Sequence, residues 1–204
     1  MELSRRERRK LEVRGRLLEA AEALFDAHGV AATRVTKICE RADVAEKTFF
    51  NHFAGKQELL REIAARALGR LLVDLEEVRK RPGPTRERLV GFFRCIADNV
   101  EAAGPMHREL VTEMIHVAHE ARLEGEQARA LKGAFGALVA DGLAAGDLGR
   151  AHPAETQTEM VLGAFYVLMF NWAHLEGYPL RRRALAAARF LGDALAVRPT
   201  GSRR

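Results

Sequence analysis

The chain has 204 residues, 48% hydrophobic and 30% charged, and no apolar run reaches the length of about 18 residues that crosses a bilayer. It therefore reads as a soluble globular protein with room for one large domain or two small ones. With 33 basic and 28 acidic residues the net charge is only +5, so any affinity for a polyanion has to come from where the charges sit.

They cluster at the amino terminus. SRRERRK at 4–10, followed by Arg14 and Arg16, makes a basic arm, whereas the remainder is nearly balanced. The next run, LEVRGRLLEA, is too mixed for the apolar segment of a signal peptide, and the chain is expected in the cytoplasm. Cys39 and Cys95 lie far apart in apolar helical patterns and read as reduced, buried thiols.

Apolar residues recur at helical spacing almost throughout, and no segment alternates as a half-buried strand does, so the expected fold is all-α. Leu17, Ala21, Leu24 and Phe25 mark a first helix that starts in the basic arm and stops at His28-Gly29. Val35, Ile38, Cys39 and Ala42 predict a short second helix, with Thr33 as its amino cap. A third short helix carries VAEKTFFNHF, and a long fourth runs from Lys56 through Leu60, Ala64, Leu68, Leu71, Leu75 and Val78 until RKRPGPT breaks it. Five more helices are expected at about 85–102, 105–120, 124–146, 153–175 and 180–196, punctuated by Gly104-Pro105, Pro153 and Gly177-Tyr178-Pro179. Residues 1–55 then form a three-helix unit, 56–197 a larger bundle, and 198–204 a disordered tail, about nine helices in all.

The third helix decides the functional reading. On a helical wheel Phe49 and Phe53 share the inward face with Val44, Lys47, Thr48, Asn51 and His52 share the outward one, and Phe50 lies at the boundary. A short helix, a tight turn at Asp43-Val44-Ala45 and a donor-rich outer face make the layout of a helix-turn-helix, whose second helix enters the DNA major groove. Asn and His donate and accept together, as reading base edges requires, while Lys and Thr suit phosphates. The polar face alone fits a solvated helix of an ordinary bundle equally well.

The run RGRLLEAAEALFDAHGVAATRVTKICERADVAEKTFFNHFAGKQELL, about residues 14–60, closely resembles the amino-terminal domain of TetR-type transcriptional regulators. The likeness rests on the Thr-rich entry, the Ile-small-x-x-Ala-x-Val turn, the Thr-x-aromatic-x-His-Phe recognition helix and the following Lys-x-x-Leu-Leu. It implies a homodimer whose two reading heads meet half-sites about 34–36 Å apart on double-stranded operator DNA, joined by bundles that pair through their last two helices and hold a pocket for a small-molecule effector. Thr36, Lys37, Lys47, Thr48, Phe50, Asn51, His52 and Lys56 fall on the family's DNA-contacting positions, with Arg34 a phosphate partner beside them. In the basic arm, Arg5, Arg6, Arg8, Arg9 and Lys10 are candidates for further phosphate or minor-groove contacts. Two residues depart from the family pattern. Asp43 stands where Gly is common, and Asp tolerates the left-handed conformation better than most residues; Phe50 stands where Tyr is usual and lacks the hydroxyl that bonds a phosphate.

Farther along, MVLGAFYVLMFNWAHLEGY at 160–178 is apolar on every side before Asn171, as expected of a helix packed on its own bundle with one face and on a second subunit with another. The last helix, with Leu185, Ala188, Leu191 and Leu195, would complete that interface, and Gly163, Ala164, Ala187 and Ala188 would let the helices approach closely. Phe92, Phe93, Met106, Met114, Phe135, Phe165, Met169 and Trp172 would line any bundle cavity, with His107, His116 or Asn171 as polar anchors. Glu113-Met-Ile-His116 has the Glu-x-x-His spacing of four-helix metal carboxylate sites, but a di-metal centre needs two such pairs, and the chain has one. There is no phosphate-binding Gly-rich loop and no nucleophilic cysteine context, so neither an enzyme nor a cofactor is expected. The expected function is a ligand-responsive DNA-binding regulator, most simply a repressor. The alternative is a helical-bundle metal or small-molecule binding protein or enzyme with a vestigial DNA-binding domain.

Overall fold

A computed structural model describes residues 4–101, 106–119 and 126–197. Among them are nine helices: α1 (Arg5–His28), α2 (Val35–Ala42), α3 (Glu46–Phe50), α4 (Lys56–Arg79), α5 (Thr85–Glu101), α6 (Met106–His119), α7 (Glu126–Ala145), α8 (Ala154–His174) and α9 (Leu180–Leu195). No strand occurs among the described residues; one isolated antiparallel bridge, Leu148 to Ala196, ties the α7–α8 connection to the end of α9. The all-α expectation holds. The tail expected to be disordered lies outside the described residues.

Local chemistry sets the helix ends. The basic stretch is not a loose arm but the first two turns of α1, started by a capping box in which Ser4 accepts from the Glu7 N–H and Glu7 accepts from the Ser4 N–H. α1 stops at Gly29, whose φ of 78° a side chain would disfavour and whose N–H reaches the Phe25 carbonyl at 2.7 Å. Thr33 does not cap α2. The capping position is Arg34, with extended backbone and no side-chain bond, while the Thr33 hydroxyl turns back to the Gly29 carbonyl at 2.8 Å and closes the α1–α2 loop. α2 ends at Asp43, left-handed at φ 52° and ψ 56°.

Two cores result. Leu17, Ala21, Phe25, Ile38, Phe49, Phe53, Leu59 and Ile63 fill the first, joined by Met106 and Leu110 from the start of α6. Leu75, Leu89, Phe92, Phe93, Phe135, Leu138, Val161 and Ala188 belong to the second. α4 serves both, Leu59 to Ala64 facing the first and Leu68 to Val78 the second. Its 24 residues extend about 36 Å at 1.5 Å per residue.

α8 is less enclosed than its composition suggests. Val161, Phe165, Leu168 and Met169 are buried, but Met160, Val167 and Phe170 are 54, 59 and 52% exposed, and Phe190 on α9 is 72% exposed. None of the described residues covers that apolar stripe. None of the described helices is long and apolar enough to cross a membrane.

Candidate nucleic-acid interface

The residues of the third helix divide as the wheel places them. Phe49 and Phe53 are 0 and 1% exposed, which is worth roughly 1.5–3 kcal/mol each. Phe50 is 55% exposed and packs edge-on against Phe49 with ring centroids 5.2 Å apart. Lys47 and Asn51 are exposed, Thr48 and His52 half-buried. α3 itself ends at Phe50; Asn51 keeps right-handed helical backbone as its cap, and the His52 N–H bonds the Phe49 carbonyl at 2.8 Å, so both side chains continue the helical surface. Arg34, Thr36 and Lys37 stand exposed at the start of α2. The Lys37 ammonium meets Glu40 at 2.7 Å, an exposed pair weak enough to yield to a phosphate.

The basic first turns of α1 come beside this surface. Arg6, Arg9, Lys10 and Val13 line one open groove with Asn51 and His52, whereas Arg5 and Arg8 are exposed outside it. Burial, then the nearby charges of Lys10 and Arg14, push the His52 imidazole below its ordinary pKa, and its Nδ1 is buried without a partner.

Arg14, read from sequence only as part of a basic run, holds the recognition segment in place. Its Nη1 donates to the His52 carbonyl at 2.9 Å, its other nitrogens bond Glu62 on α4, and the guanidinium lies 4.2 Å over the Phe53 ring. The available signal was its helical spacing from buried Leu17 and Leu18, which turns it toward the core rather than outward.

Lys56 occupies a similar junction. Its ammonium donates to the carbonyls of Val30, Ala31 and Thr33 at 2.8, 3.0 and 3.2 Å, so its three donors are all engaged by the α1–α2 loop. The Val30 N–H points the other way and donates to Glu109 of α6 at 3.2 Å. The loop is thus gripped from the bundle by α4 through its carbonyls and by α6 through an amide. Arg61 bonds Glu113 at 3.1 Å along the same α4–α6 seam.

The residues expected around a bundle cavity do not converge. Met114, Phe165 and Met169 border a small apolar cavity with Leu68, Leu71 and Val111, of about 40 Å3, near the space of a single water. Tyr166 also lines it, and burial raises its phenol pKa. Phe92, Phe93 and Phe135 are at most 1% exposed and pack edge-to-face as plain core. Met106 sits in the other core because α6 begins against α1, and His107 beside it stands 3.9 Å from Asp26. Trp172 is half-buried under Arg108, whose guanidinium lies 5.1 Å over its ring, and Asn171 is half-buried near the end of α8. His116 lies outside the residues whose side chains are described. Glu113, its partner in the metal-type spacing, is engaged by Arg61. Among the described residues no three His, Cys, Asp or Glu side chains group as metal ligands would.

An exposed donor-rich helix set on a left-handed turn over an apolar core, followed by a helical bundle, is the layout of a helix-turn-helix head joined to a bundle. Residues 17–63 match the family profile described as bacterial regulatory proteins, tetR family. The transcriptional repressor KstR2 of Mycobacterium tuberculosis is 32% identical over 88 residues, covering 43% of this chain and 44% of that protein. The activator FasR of Mycolicibacterium smegmatis is 29% identical over 90 residues, 44% of this chain and 41% of its own length. The chain thus aligns with less than half the length of these relatives. The whole fold is similar to that of Thermus thermophilus FadR, a TetR-family repressor solved with lauroyl-CoA: TM-score 0.67 and 21% identity over 94% of this chain and 99% of the other. SmeT, repressor of a Stenotrophomonas maltophilia efflux pump, gives a TM-score of 0.66 at 19% identity over 92% of this chain and 91% of the other.

Proposed function

We propose that this protein is a repressor that binds a palindromic operator as a homodimer and is released by a small apolar effector held in its bundle. The carrying observation is the α3 surface, where Lys47, Thr48, Asn51 and His52 stand outward over buried Phe49 and Phe53. In this reading Asn51 and His52 read base edges, and Lys47, Thr48, Arg34, Thr36 and Lys37 hold phosphates on either side. Arg6, Arg9 and Lys10 extend the phosphate track along α1. Arg14 and Lys56 act on DNA indirectly, by fixing the recognition segment and the loop behind it. The effector acts by parting α4 from α6 at the small apolar cavity, and it regulates only by binding one spacing of the two heads better than the other. Footprinting on the DNA flanking its gene should show a protected palindrome whose occupancy falls steeply with salt. Absence of any such protection overturns the reading.

Two residues offer sharper tests. Phe50→Tyr should tighten operator binding by up to about 1–3 kcal/mol, because in this reading the exposed ring faces the DNA backbone and a phenol there adds a bond to a charged phosphate. Unchanged or weaker affinity in a fluorescence anisotropy titration counts against that placement. In the free protein, burial and the nearby charges of Lys10 and Arg14 hold the His52 imidazole below its ordinary pKa. Phosphates nearby favour its charged form, so its pKa is higher on DNA than off it and a proton is taken up on binding. Operator affinity should therefore rise as pH falls from about 7 through the free value, below the ordinary value of about 6.5, and His52→Gln should flatten that profile. A wild-type affinity independent of pH in this range removes His52 from the contact surface.

A further inference from the structure

The end of α4 farthest from the reading head carries a concentration of arginines that DNA recognition does not use. Arg81 from the α4–α5 turn, Arg86, Arg88 and Arg94 from α5 and Arg189 from α9 line one open cleft of about 470 Å3, with Glu87 its acidic lining residue. Arg86 is neutralised by Asp193, Nε to Oδ1 at 2.6 Å, and this pair ties α5 to α9. The Arg88 Nε is spent on the Arg81 carbonyl at 3.1 Å. Among the described residues no carboxylate stands within ion-pair distance of Arg81, Arg88, Arg94 or Arg189. Four uncompensated guanidiniums around one concavity repel one another, and each keeps N–H donors in a fork that matches the oxygens of a phosphate.

The operator cannot supply that anion, because the length of α4, about 36 Å, separates the cleft from the head. The volume is that of a small-molecule site rather than of a flat macromolecular contact. The cleft shares no lining residue with the apolar cavity among α4, α6, α7 and α8. We propose that it binds a small molecule carrying two or more linked phosphates, which bridges α5 and α9. This site is separate from the apolar effector cavity and from the DNA surface.

Calorimetric titration of the full chain with sodium pyrophosphate, at constant ionic strength, tests this. A saturable site is expected, weakened at least about tenfold in the Arg94→Ser/Arg189→Ser double variant, with the unfolding midpoint and operator affinity unchanged. ATP in place of pyrophosphate separates a nucleotide from a free polyphosphate: tighter binding through the same arginines assigns the former, equal binding the latter. Equal pyrophosphate binding by wild type and double variant overturns the proposal and places the anion on the basic head. Hexaglutamate binding that needs Arg94 and Arg189, with none by pyrophosphate, overturns it in favour of an acidic protein segment.

Discussion

Lys56→Met should weaken operator binding at least about tenfold without changing how steeply that binding depends on salt. Three carbonyls of the α1–α2 loop converge on this ammonium, and a hydrogen bond to a charged group is worth about 1.5–3 kcal/mol, so losing even one such interaction exceeds a factor of ten. Methionine keeps the apolar stem and removes all three donors. The loop then loses its hold from α4 and keeps only the Glu109 bond to Val30, so α2 and the α3 surface behind it are less firmly placed. Salt dependence separates this from a direct contact. A lysine that neutralises a phosphate contributes about one unit to the slope of log affinity against log salt, whereas a residue that holds a loop contributes none. A slope reduced by about one unit, with loop amides still protected from hydrogen exchange, would return Lys56 to the DNA surface that the family resemblance implies.

The second large effect is expected at the exposed apolar stripe. Val167→Asp with Phe190→Asp should convert a dimer into a monomer and lower affinity for a full palindrome by about a hundredfold or more, while half-site affinity stays the same. Val167 and Phe190 are 59 and 72% exposed in the single chain, with Met160 and Phe170 on the same side of α8. Burying each such side chain against a second copy returns roughly 1.5–3 kcal/mol, and the small residues Gly163 and Ala164 leave room for a neighbouring helix, since beyond its chain neighbours and its own helix backbone a Cβ at Gly163 would meet nothing within 4 Å. An aspartate there places an unpaired charge in an apolar contact, among the costliest changes an interface can suffer. Sedimentation velocity measures the assembly. A wild-type monomer at every concentration, or a double variant that remains dimeric, refutes pairing through this face.

The two predictions differ in how far the sequence foresaw them. The apolar composition of α8 and α9 already pointed to a surface wanting a partner; what it did not show is which side of each helix the bundle would use. Within one chain a helix touches its own bundle over only part of its circumference, and for α8 this leaves Met160, Val167 and Phe170 open, the face expected to meet a second subunit. Lys56 shows the opposite case. Its position in the motif was plain from the sequence, but its bonding was not, since three acceptors from a loop 23 to 26 residues away had to fold around it.

What the sequence determined by itself was everything governed by short-range periodicity and backbone chemistry. Helical spacing separated Phe49 and Phe53 from Lys47 and Asn51, prolines and glycines ended α4, and an aspartate tolerant of positive φ turned α2 into α3, because each depends on neighbours a few residues apart. Tertiary structure alone decided the rest. Arg14 meets His52 and Glu62 across 38 and 48 residues, Val30 meets Glu109 across 79, and Met106 joins the core of the reading head rather than a bundle pocket. Such contacts arise from how α1, α4 and α6 pack, and a side chain's local pattern says only which way it faces, not which partner the fold brings to it.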